Sequence, residues 1–416
     1  LEEVRAIFDK WDLHSDVIGR VTDDGIVRVR DGDEIVAEVP AAFYTDECPT
    51  YVREGRESED VQALRAVVLD EVIPDIAPER LPDTLQQMLG SPNICSREPI
   101  IRTYDHTIMS NTVIAPIQGD AAVLRIKGTN RGIATATDCN PRYVFLDPYV
   151  GGMHALAEAA RNVSCVGAEP VAFTNCLNFG NPEKADVYFQ LEQAISGMAR
   201  AAEALDTPVV SGNVSLYNET RNESVLPTPT IGMVGLLKDI SKRVGLSARD
   251  GEQLLLLGPL EATLGASEYA KHIHGRTAGA PPSIDLDLEA AVQSLVRDLI
   301  GAGEITAAHD TSEGGLLVAV LEMLMLQELG ADLDLAAIIE ANSGRVDTAL
   351  FGEAASRIIV ATANENIEAI RSRAEVHNVQ VTELGKVRAG DLDVRGFPTV
   401  ELRPLRTAWR DGLIRT

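Results

Sequence analysis

Long apolar runs are absent from this sequence, and aromatic side chains make up only 4% of its 416 residues. No stretch approaches the length of a membrane-spanning helix, and no basic segment followed by an apolar one opens the chain. We therefore expect neither a membrane protein nor a secreted one. The longest apolar stretch, residues 316–326, is interrupted by Glu322 and predicts a buried helix.

Positive charge is also scarce. The chain has 37 Lys and Arg residues against 63 Asp and Glu residues, which gives a net charge of −26. This balance excludes a broad nucleic-acid surface. It still allows a nucleotide to bind, because local main-chain amides and a metal ion neutralise phosphate without basic side chains.

The five cysteines are an odd number and include no C-x-x-C pair. This pattern excludes a disulfide framework and a zinc site, and it favours a reducing compartment. We expect a cytoplasmic location.

What is present is a glycine-rich chain in which predicted strands and helices alternate. Its length suffices for two or three domains. The predicted strands and helices between residues 121 and 237 form one compact domain, and a second domain begins near Ser247. The pattern predicts an α/β (α+β) fold.

The two ends of the chain follow the same predicted order of helix, Gly-containing segment, turn and strand, over residues 1–40 and 365–404. This indicates that the chain opens in the last part of one repeat and then holds a second repeat. Leu1 in place of Met also predicts an internal start. Between the repeats, residues 45–75 have the composition of a linker, with a predicted helix over 58–71 capped by Ser58 and another over 81–89.

The segment Val209-Val210-Ser211-Gly212-Asn213-Val214-Ser215 is the most informative in the chain. Two β-branched residues end a predicted strand, and a turn of small residues follows. Gly212 allows the main chain to approach a ligand, Asn213 offers an oxygen to a hard cation, and Ser215 offers a hydroxyl. The segment predicts a phosphate and metal site, although a solvated turn fits the same residues.

Three other segments place polar residues at the end of a predicted strand, where open sheets bind ligands. They are Asp138-Cys139-Asn140-Pro141-Arg142 with Asp147-Pro148, Asn175 to Glu183, and His309 to Gly315. Each also has a purely structural interpretation. Asp147 with Pro148, Asn181 with Pro182, and Thr311 or Ser312 are all typical of helix caps and turns.

Together these segments resemble one family. The runs Thr137 to Tyr143, Asn175 to Glu183 and Gly212 to Glu219 are highly specific to phosphoribosylformylglycinamidine synthase, whose synthetase subunit this sequence resembles. Residues 99–416 resemble the second half of that subunit, in its small form, and residues 1–50 resemble the end of the first half. The resemblance implies a tail of the first C-type domain at 1–50, a linker with helices at 51–98, a second N-type domain at 99–246 and a second C-type domain at 247–416.

The family's fold is a tandem duplication of the aminoimidazole ribonucleotide synthetase unit, in which two N-type domains pair through their sheets. The resemblance implies an ATP- and Mg²⁺-dependent ligase of purine biosynthesis that converts formylglycinamide ribonucleotide and glutamine-derived ammonia to formylglycinamidine ribonucleotide. It implies as partners the chain's own N-terminal half, a glutaminase subunit and a small accessory subunit, with neither nucleic acid nor membrane.

By the same resemblance, Asn175 and Gly212 bind ATP, Asn213 binds magnesium and Ser215 binds substrate. Relatives commonly have aspartate at the position of Asn175, so this chain lacks one charge there. The family's catalytic histidine belongs to the first half, so we expect no catalytic residue in this chain and the catalytic one upstream of Leu1.

The pseudo-equivalent second site has Asp138 to Tyr143 and Arg161-Asn162 in place of the family's histidines and metal-binding aspartate. We expect too few carboxylates and no imidazole for turnover there. The alternative function is therefore a non-catalytic, nucleotide-holding structural half. A stand-alone selenophosphate or aminoimidazole ribonucleotide synthetase needs a glycine-rich catalytic N-terminal segment, which residues 1–75 lack.

Overall fold

The computed structural model describes residues 1–221 and 223–415. They form two compact units, residues 1–53 and residues 54–415. The first unit holds α1 (Glu2–Lys10) and an antiparallel hairpin of β1 (Ile26–Asp31) and β2 (Glu34–Pro40). Across residues 1–53, all of which are described, no residue is buried. Apolar side chains such as Ile7 on α1 and Trp11 directly after it, which are 60% and 67% exposed, therefore have no core to enter.

In the second unit, short helices precede the first sheet. They are α2 (Glu59–Arg65), α3 (Leu69–Val72), α4 (Leu81–Leu89) and α5 (Glu98–Ile101). The predicted helix over 58–71 is thus wrong in its length, because the β-branched residue Val68 takes an extended conformation and separates α2 from α3. Ser58 does stand at the N-cap position of α2 but makes no capping hydrogen bond with its side chain. The predicted helix over 81–89 is confirmed.

The first large sheet contains six strands in the order β3-β4-β5-β10-β6-β7. The elements of this region are β3 (Thr112–Ile114), β4 (Ala122–Arg125), β5 (Gly132–Asp138), α6 (Pro141–Leu146), α7 (Pro148–Cys165), β6 (Glu169–Asn178), α8 (Ala185–Ala204), β7 (Val209–Ser215), β8 (Glu219–Thr220), β9 (Glu223–Ser224) and β10 (Thr228–Leu237). Helices α7 and α8 cover one face of the sheet, where Leu156, Val163, Phe173 and Ile231 share one core. The opposite face, which we call the outer face, carries exposed side chains on β6 and β7.

Close helix packing explains the glycines that open α7. A Cβ atom at Gly152 would lie 2.4 Å from the carbonyl oxygen of Ala194 on α8. Asp147 caps α7, since its carboxylate accepts a hydrogen bond from the N–H of Val150, and Pro148 is the first helical residue. The structural interpretation of this segment is therefore confirmed. The other predicted caps are wrong. Helix α8 begins at Ala185 rather than near Asn181, and Gly314, not Thr311 or Ser312, occupies the N-cap position of the next apolar helix.

The second large sheet has the strand order β12-β14-β11-β15-β13-β16. The elements of this region are β11 (Gln253–Leu257), α9 (Glu268–His274), α10 (Leu286–Ala302), β12 (Ala307–Asp310), α11 (Gly315–Met325), β13 (Leu329–Leu333), α12 (Ala336–Ala341), α13 (Val346–Phe351), β14 (Ile358–Thr362), α14 (Ile367–His377), β15 (Val381–Ala389), β16 (Leu392–Val394) and α15 (Leu402–Arg415). Both faces of this sheet are covered. Leu255 and Leu257 enter a core with α10 and α14, while Leu254 and Leu256 enter a larger core with α11 and α4. Among the described residues, no helix is long and apolar enough to cross a membrane.

Candidate functional site

The four predicted site residues lie on two neighbouring parallel strands. In the register of β6 and β7, Asn175 is opposite Gly212, Cys176 is opposite Asn213, and Asn178 is opposite Ser215. The predicted turn after Ser211 is wrong, because β7 continues to Ser215 as the edge strand of the sheet. Pairing with β6 supplies the main-chain hydrogen bonds that overcome the turn propensity of these small residues.

Gly212 has a packing role that the sequence did not reveal. A Cβ atom at this position would lie 2.2 Å from Oδ1 of Asn175. The glycine therefore makes room for the Asn175 side chain as well as leaving the main chain open. Asn175 itself is half-buried, and in the pairing of β6 with β10 it is opposite Ile231. The contact joins the two residues expected to bind ATP.

Asn213 and Ser215 differ in how freely they can meet a ligand. Asn213 is exposed, and its Nδ2 donates to Sγ of Cys176 at 3.6 Å. Its Oδ1 thus stays open to a cation. Ser215 is half-buried, and its hydroxyl donates to Oδ1 of Asn218 at 3.2 Å. In this arrangement Ser215 accepts a hydrogen bond from a ligand hydroxyl more readily than it donates one to a phosphate.

A second candidate site, which we call the acidic cavity, lies where the two sheets of the second unit meet. It has a volume of about 270 Å³. Its polar lining consists of carboxylates with an imidazole, an amide and a hydroxyl, contributed by Asp120, Asp138, Glu158, Asn162, His309, Asp310, Ser312, Glu313 and Glu322. The end of β5 supplies Asp138, α7 supplies Glu158 and Asn162, and the end of β12 supplies His309 and Asp310.

Arg161 is a buried cation next to the cavity that neutralises part of its negative charge. Its side chain is only 1% exposed, and its guanidinium contacts Glu289 at 2.8 Å, Asp310 at 3.3 Å and Glu158 at 3.6 Å. On the same helix, Asn162 donates to Asp138 at 3.2 Å. One guanidinium thus serves three carboxylates, and further negative charge lines the cavity in front of it.

Asp138, Glu158 and Asp310 in the cavity have raised pKa values. Burial raises the pKa of Asp138 and Glu158 well above their usual values, and each carboxylate adds to the repulsion of its neighbours. Burial likewise raises the pKa of Asp310, although Arg161 limits the rise, and the result is about 6. A divalent cation would remove this repulsion.

His309 is held as an imidazolium. Its Nδ1 lies 2.6 Å from Asp120, and its Nε2 lies 3.1 Å from Glu322. Burial opposes the charge, but the two carboxylates outweigh it and raise the pKa of His309 well above 6.5. Asp120 also accepts a hydrogen bond from the N–H of Asp310 at 2.8 Å, which ties the loop before β4 to the end of β12.

The sequence did not predict this convergence. The second site was expected to be poor in carboxylates and without imidazole, and the structure corrects both points by adding Asp120, Glu158 and His309. Glu158 and Asn162 had a usable signal, since their spacing of four residues puts them on one face of a helix. Asp120 and Glu322 had none, because they join the cavity only through the packing of distant segments.

The chemistry of the donors decides what each site could hold. Asp120, Asp138, Glu158 and Asp310 offer carboxylate oxygens and Asn162 an amide oxygen, the hard ligands that Mg²⁺ prefers. Around Asn213, the paired residues 174–178 and 211–215 offer amide and hydroxyl oxygens for a cation but no carboxylate. They therefore fit one corner of a magnesium site, whose other ligands must come from a facing surface.

The two sites are connected by residues that are paired across neighbouring strands of the first sheet. Ile231 on β10 pairs with Asp138 on one side and with Asn175 on the other, and Asn175 pairs with Gly212. Paired residues project from the same face, so Asp138 and Asn175 lie on one side of the sheet with a single strand between them.

Comparison with known proteins gives two family matches. Residues 118–237 match the N-terminal domain of AIR synthase related proteins, and residues 249–396 match the C-terminal domain. Both matches lie inside the predicted domains of 99–246 and 247–416, whose outer boundaries stay a prediction.

The curated relatives are longer than this chain. Phosphoribosylformylglycinamidine synthase subunit PurL of Thermomicrobium roseum is 52% identical over 414 residues, which is 100% of this chain and 56% of that protein. The PurL subunit of Moorella thermoacetica is 45% identical over 424 residues, covering 99% of this chain and 56% of that protein. The chain thus spans little more than half the length of the relatives it matches.

Solved structures show the same fold at lower identity. Thermotoga maritima PurL complexed with FGAR superposes with a TM-score of 0.63 at 17% identity, over 80% of this chain and 54% of that one. The same protein complexed with ATP gives a TM-score of 0.56 at 21% identity, over 88% and 49% of the two chains. PurLQS from the same organism gives 0.53 at 21% identity, over 88% and 49%. The chain has an α/β fold of the AIR synthase related type and belongs to the family of phosphoribosylformylglycinamidine synthase subunit PurL.

Proposed function

We propose that this chain is the part of a phosphoribosylformylglycinamidine synthase that completes its ATP, magnesium and substrate site. The enzyme would be an ATP-dependent ligase of purine biosynthesis. ATP would transfer its terminal phosphoryl group to the amide oxygen of formylglycinamide ribonucleotide, releasing ADP. Ammonia from glutamine would then displace phosphate and leave formylglycinamidine ribonucleotide. The register of β6 and β7, which aligns Asn175 with Gly212 and sets Asn213 and Ser215 on the same strand, is the observation that carries this proposal.

Each of these residues has a role that its environment suits. Gly212 and Asn175, in direct contact, would position the nucleotide through main-chain and amide groups. Asn213 would give its free Oδ1 to Mg²⁺, which neutralises charge on the transferring phosphoryl group when it is bound. Ser215 would accept a hydrogen bond from a substrate hydroxyl. The chain's task is positioning, because phosphoryl transfer needs charge and alignment more than covalent chemistry.

The outer face supports an N-terminal half as partner. Its strands expose apolar side chains that a soluble protein usually covers, including Leu124, Ile133 and Val234. The edge strand β7 exposes further apolar area, since Val210 is 67% exposed. Pairing with a second N-type sheet would bury these side chains and bring further magnesium ligands and the catalytic histidine toward Asn213.

The first unit supports the same partner independently. Residues 1–53 form a helix and a hairpin whose apolar side chains are exposed, as expected for the tail of a C-type domain that packs on the rest of that domain. The relatives' greater length is consistent with this. The solved PurLQS assembly leads us to propose a glutaminase and a small accessory subunit as further partners. Five free cysteines fit a cytoplasmic location.

Complementation tests the proposal. We expect the chain alone to form no formylglycinamidine ribonucleotide from ATP, Mg²⁺, ammonia and the substrate. Adding the remaining N-terminal portion of the Thermomicrobium roseum PurL subunit should restore product formation. The variant Asn213→Ala should lose this rescue while still binding the added portion, and Asn364→Ala, on an exposed turn far along the chain, should keep it. Product from the chain alone, or full rescue by Asn213→Ala, would contradict the proposal.

The acidic cavity favours a second candidate function, that of a non-catalytic half which holds a nucleotide through bound Mg²⁺. Its carboxylates converge without help from another chain, and burial together with mutual repulsion raises the pKa values of Asp138, Glu158 and Asp310. Structural rescue of the N-terminal portion without turnover would support this function over the first.

A further inference from the structure

Asn218 lies just beyond the end of β7 and connects the two strands of the open site. The chain turns back after Ser215, where Tyr217 has a φ of 61°, a left-handed conformation that is strained for a residue with a side chain. The N–H of Tyr217 donates to the carbonyl oxygen of Gly180 at 2.9 Å. The N–H of Asn218 donates to the carbonyl oxygen of Phe179 at 3.2 Å. The half-buried Asn218 therefore joins the segment after β7 to the segment after β6.

The side-chain amide of Asn218 has one orientation, which its neighbours determine. Its Nδ2 donates to the carbonyl oxygen of Ser215 at 2.8 Å and to that of Phe179 at 3.0 Å. A reversed amide would place its oxygen against these two carbonyl oxygens, with no proton between them. The nitrogen of Asn218 must therefore face the carbonyl oxygens, and its oxygen, Oδ1, faces the hydroxyl group of Ser215.

This orientation determines the role of the Ser215 hydroxyl. Oδ1 of Asn218 lies 3.2 Å from the hydroxyl oxygen of Ser215, and an amide oxygen has no proton to donate. The serine must therefore be the donor, and its single hydroxyl proton points at Asn218. Only the lone pairs of the Ser215 oxygen then remain for a ligand. Without Asn218, the hydroxyl would rotate and meet a donor or an acceptor equally well.

The surroundings of Ser215 do not supply the positive charge that usually accompanies a bound phosphate group. Neither residues 174–178 of β6 nor residues 211–215 of β7 include a charged side chain. Lys184, on the segment after β6, contacts Glu219 at 2.8 Å, so a carboxylate already balances its charge. An uncharged ligand group therefore fits this position better than a phosphate group.

We propose that Asn218 is a positioning residue which fixes Ser215 as a hydrogen-bond acceptor, and that the substrate therefore meets Ser215 with a donor group, a hydroxyl or an N–H. A phosphate dianion carries no proton, so it would meet only the lone pairs of Ser215 and gain no hydrogen bond there. Asn218 does not touch the substrate in this arrangement and acts through Ser215. The inference rests on the proposed function, because it concerns the substrate contact of the same strand pair.

Steady-state kinetics of the complemented enzyme test the proposal. Asn218→Ala should raise the KM for formylglycinamide ribonucleotide about fivefold, because the hydroxyl of Ser215 loses its fixed orientation. The kcat and the KM for ATP should change by less than about twofold, since a contact that is equally strong in the ground and transition states affects only substrate binding. Ser215→Ala should raise the same KM about tenfold, and the double variant should match it, because Asn218 acts only through Ser215. An unchanged KM in Ser215→Ala would overturn the proposal even if Asn218→Ala fails to fold.

The sign of the change in Asn218→Ala identifies the ligand group. If a phosphate oxygen met Ser215, release of the hydroxyl proton from Asn218 would let the serine donate it to the phosphate, and the KM would fall. The matched control is Ser224→Ala, which removes a hydrogen bond of 2.9 Å to Glu219 in the same segment. The contact between Asn218 and Ser215 stays in place, so this variant should keep the wild-type KM. A lowered or unchanged KM in Asn218→Ala, an equal rise in Ser224→Ala, or rises that multiply in the double variant would each overturn the proposal.

Melting temperatures of the chain alone separate this inference from the proposed function, because they need no activity. Ser215→Ala should lower the melting temperature of the wild type but not that of Asn218→Ala, in which Ser215 has already lost its partner. If the complemented wild-type enzyme forms no product, the proposed function fails, and the melting temperatures then decide the inference. Losses that add in the double variant overturn it, whereas a double variant as stable as Asn218→Ala supports the fixed serine.

Discussion

The strand pair β6 and β7 and the acidic cavity differ in how complete they are. The strand pair presents Asn213 and its neighbours on an exposed edge, with one open amide oxygen and apolar side chains around it. The acidic cavity gathers carboxylates from the loop before β4, from α7 and from β12, and it neutralises only part of their charge with Arg161. We propose that the strand pair needs a facing surface before it can act, whereas all the residues that line the cavity belong to this chain.

This difference follows from where each site lies in the fold. The cavity lies between two sheets of one compact unit, so tertiary packing alone brings its members together. Asn213 and Ser215 project from the outer face, which no element of the described chain covers in the way α7 and α8 cover the other face. The acidic cavity brings carboxylates that repel one another close together, whereas the strand pair leaves apolar area exposed. Each can therefore be perturbed without the other.

The largest effect is expected from Arg161→Met. The substitution leaves Glu158, Glu289 and Asp310 buried without their shared cation, so we expect the free energy of unfolding to fall by about 3–5 kcal/mol. Urea unfolding of the chain measures the change. The matched control is Arg373→Met, which breaks a surface ion pair with Glu304 and should cost about 0–1 kcal/mol. Equal losses in the two variants would show that the cavity does not depend on its buried cation.

Many elements of the fold were predictable, because each depends on a local pattern. Helix α4 has the predicted bounds, since periodicity and the flanking Gly and Pro residues determine them. The end of β7 was not predictable, because pairing with β6 extends a segment whose own residues favour a turn. The members of the acidic cavity were only partly predictable. Asp138 and Asp310 lie at the ends of predicted strands, which makes them candidates from the sequence. Asp120 and Glu322 reach the cavity only through tertiary packing, which no local sequence pattern predicts.

Gly212→Ala should damage the open site with little effect on the fold. The added Cβ would lie 2.2 Å from Oδ1 of Asn175, so the asparagine must leave its position. We expect the activity of the complemented enzyme to fall about 100-fold, equivalent to about 2.7 kcal/mol of transition-state stabilisation. Steady-state product formation measures this.

The control for that substitution is Gly301→Ala. A Cβ at Gly301 meets no atom within 4 Å, so the change should leave activity intact and stabilise α10 by up to about 1 kcal/mol. If Gly212→Ala retains activity as Gly301→Ala does, the contact between Gly212 and Asn175 has no role in the reaction.

Glu353 should make the free energy of unfolding depend on pH. It accepts hydrogen bonds from the Tyr143 hydroxyl and from the N–H groups of Glu268 and Gly314. Burial raises its pKa to about 7, although Arg142 opposes the rise. The folded-state pKa is above the unfolded value, so the protonated Glu353 side chain stabilises the folded chain. This contribution to the free energy of unfolding is fully present below the unfolded pKa and is lost as pH rises through 7. The loss between pH 5 and 7 should reach roughly 2 kcal/mol.

Glu353→Gln isolates this contribution, because glutamine does not titrate. Melting temperatures of the variant at pH 5 and 7 should differ less than those of the wild type. The exposed Glu383→Gln is the control, and it should leave the pH profile unchanged. A profile for Glu353→Gln that follows the wild type would assign the pH dependence to other groups.

The smallest effect should separate the two sites most directly. Mg²⁺ with ADP should raise the melting temperature of the chain alone, by the equivalent of about 1.4 kcal/mol at ten times the dissociation constant, because cations relieve the repulsion among Asp138, Glu158 and Asp310. Asp310→Asn should lose most of this shift, whereas Asn213→Ala should keep it, since one amide oxygen on an open strand cannot hold the ion unaided. If Asn213→Ala loses the shift and Asp310→Asn keeps it, the strand pair binds the nucleotide without a facing surface and the acidic cavity is only a structural junction.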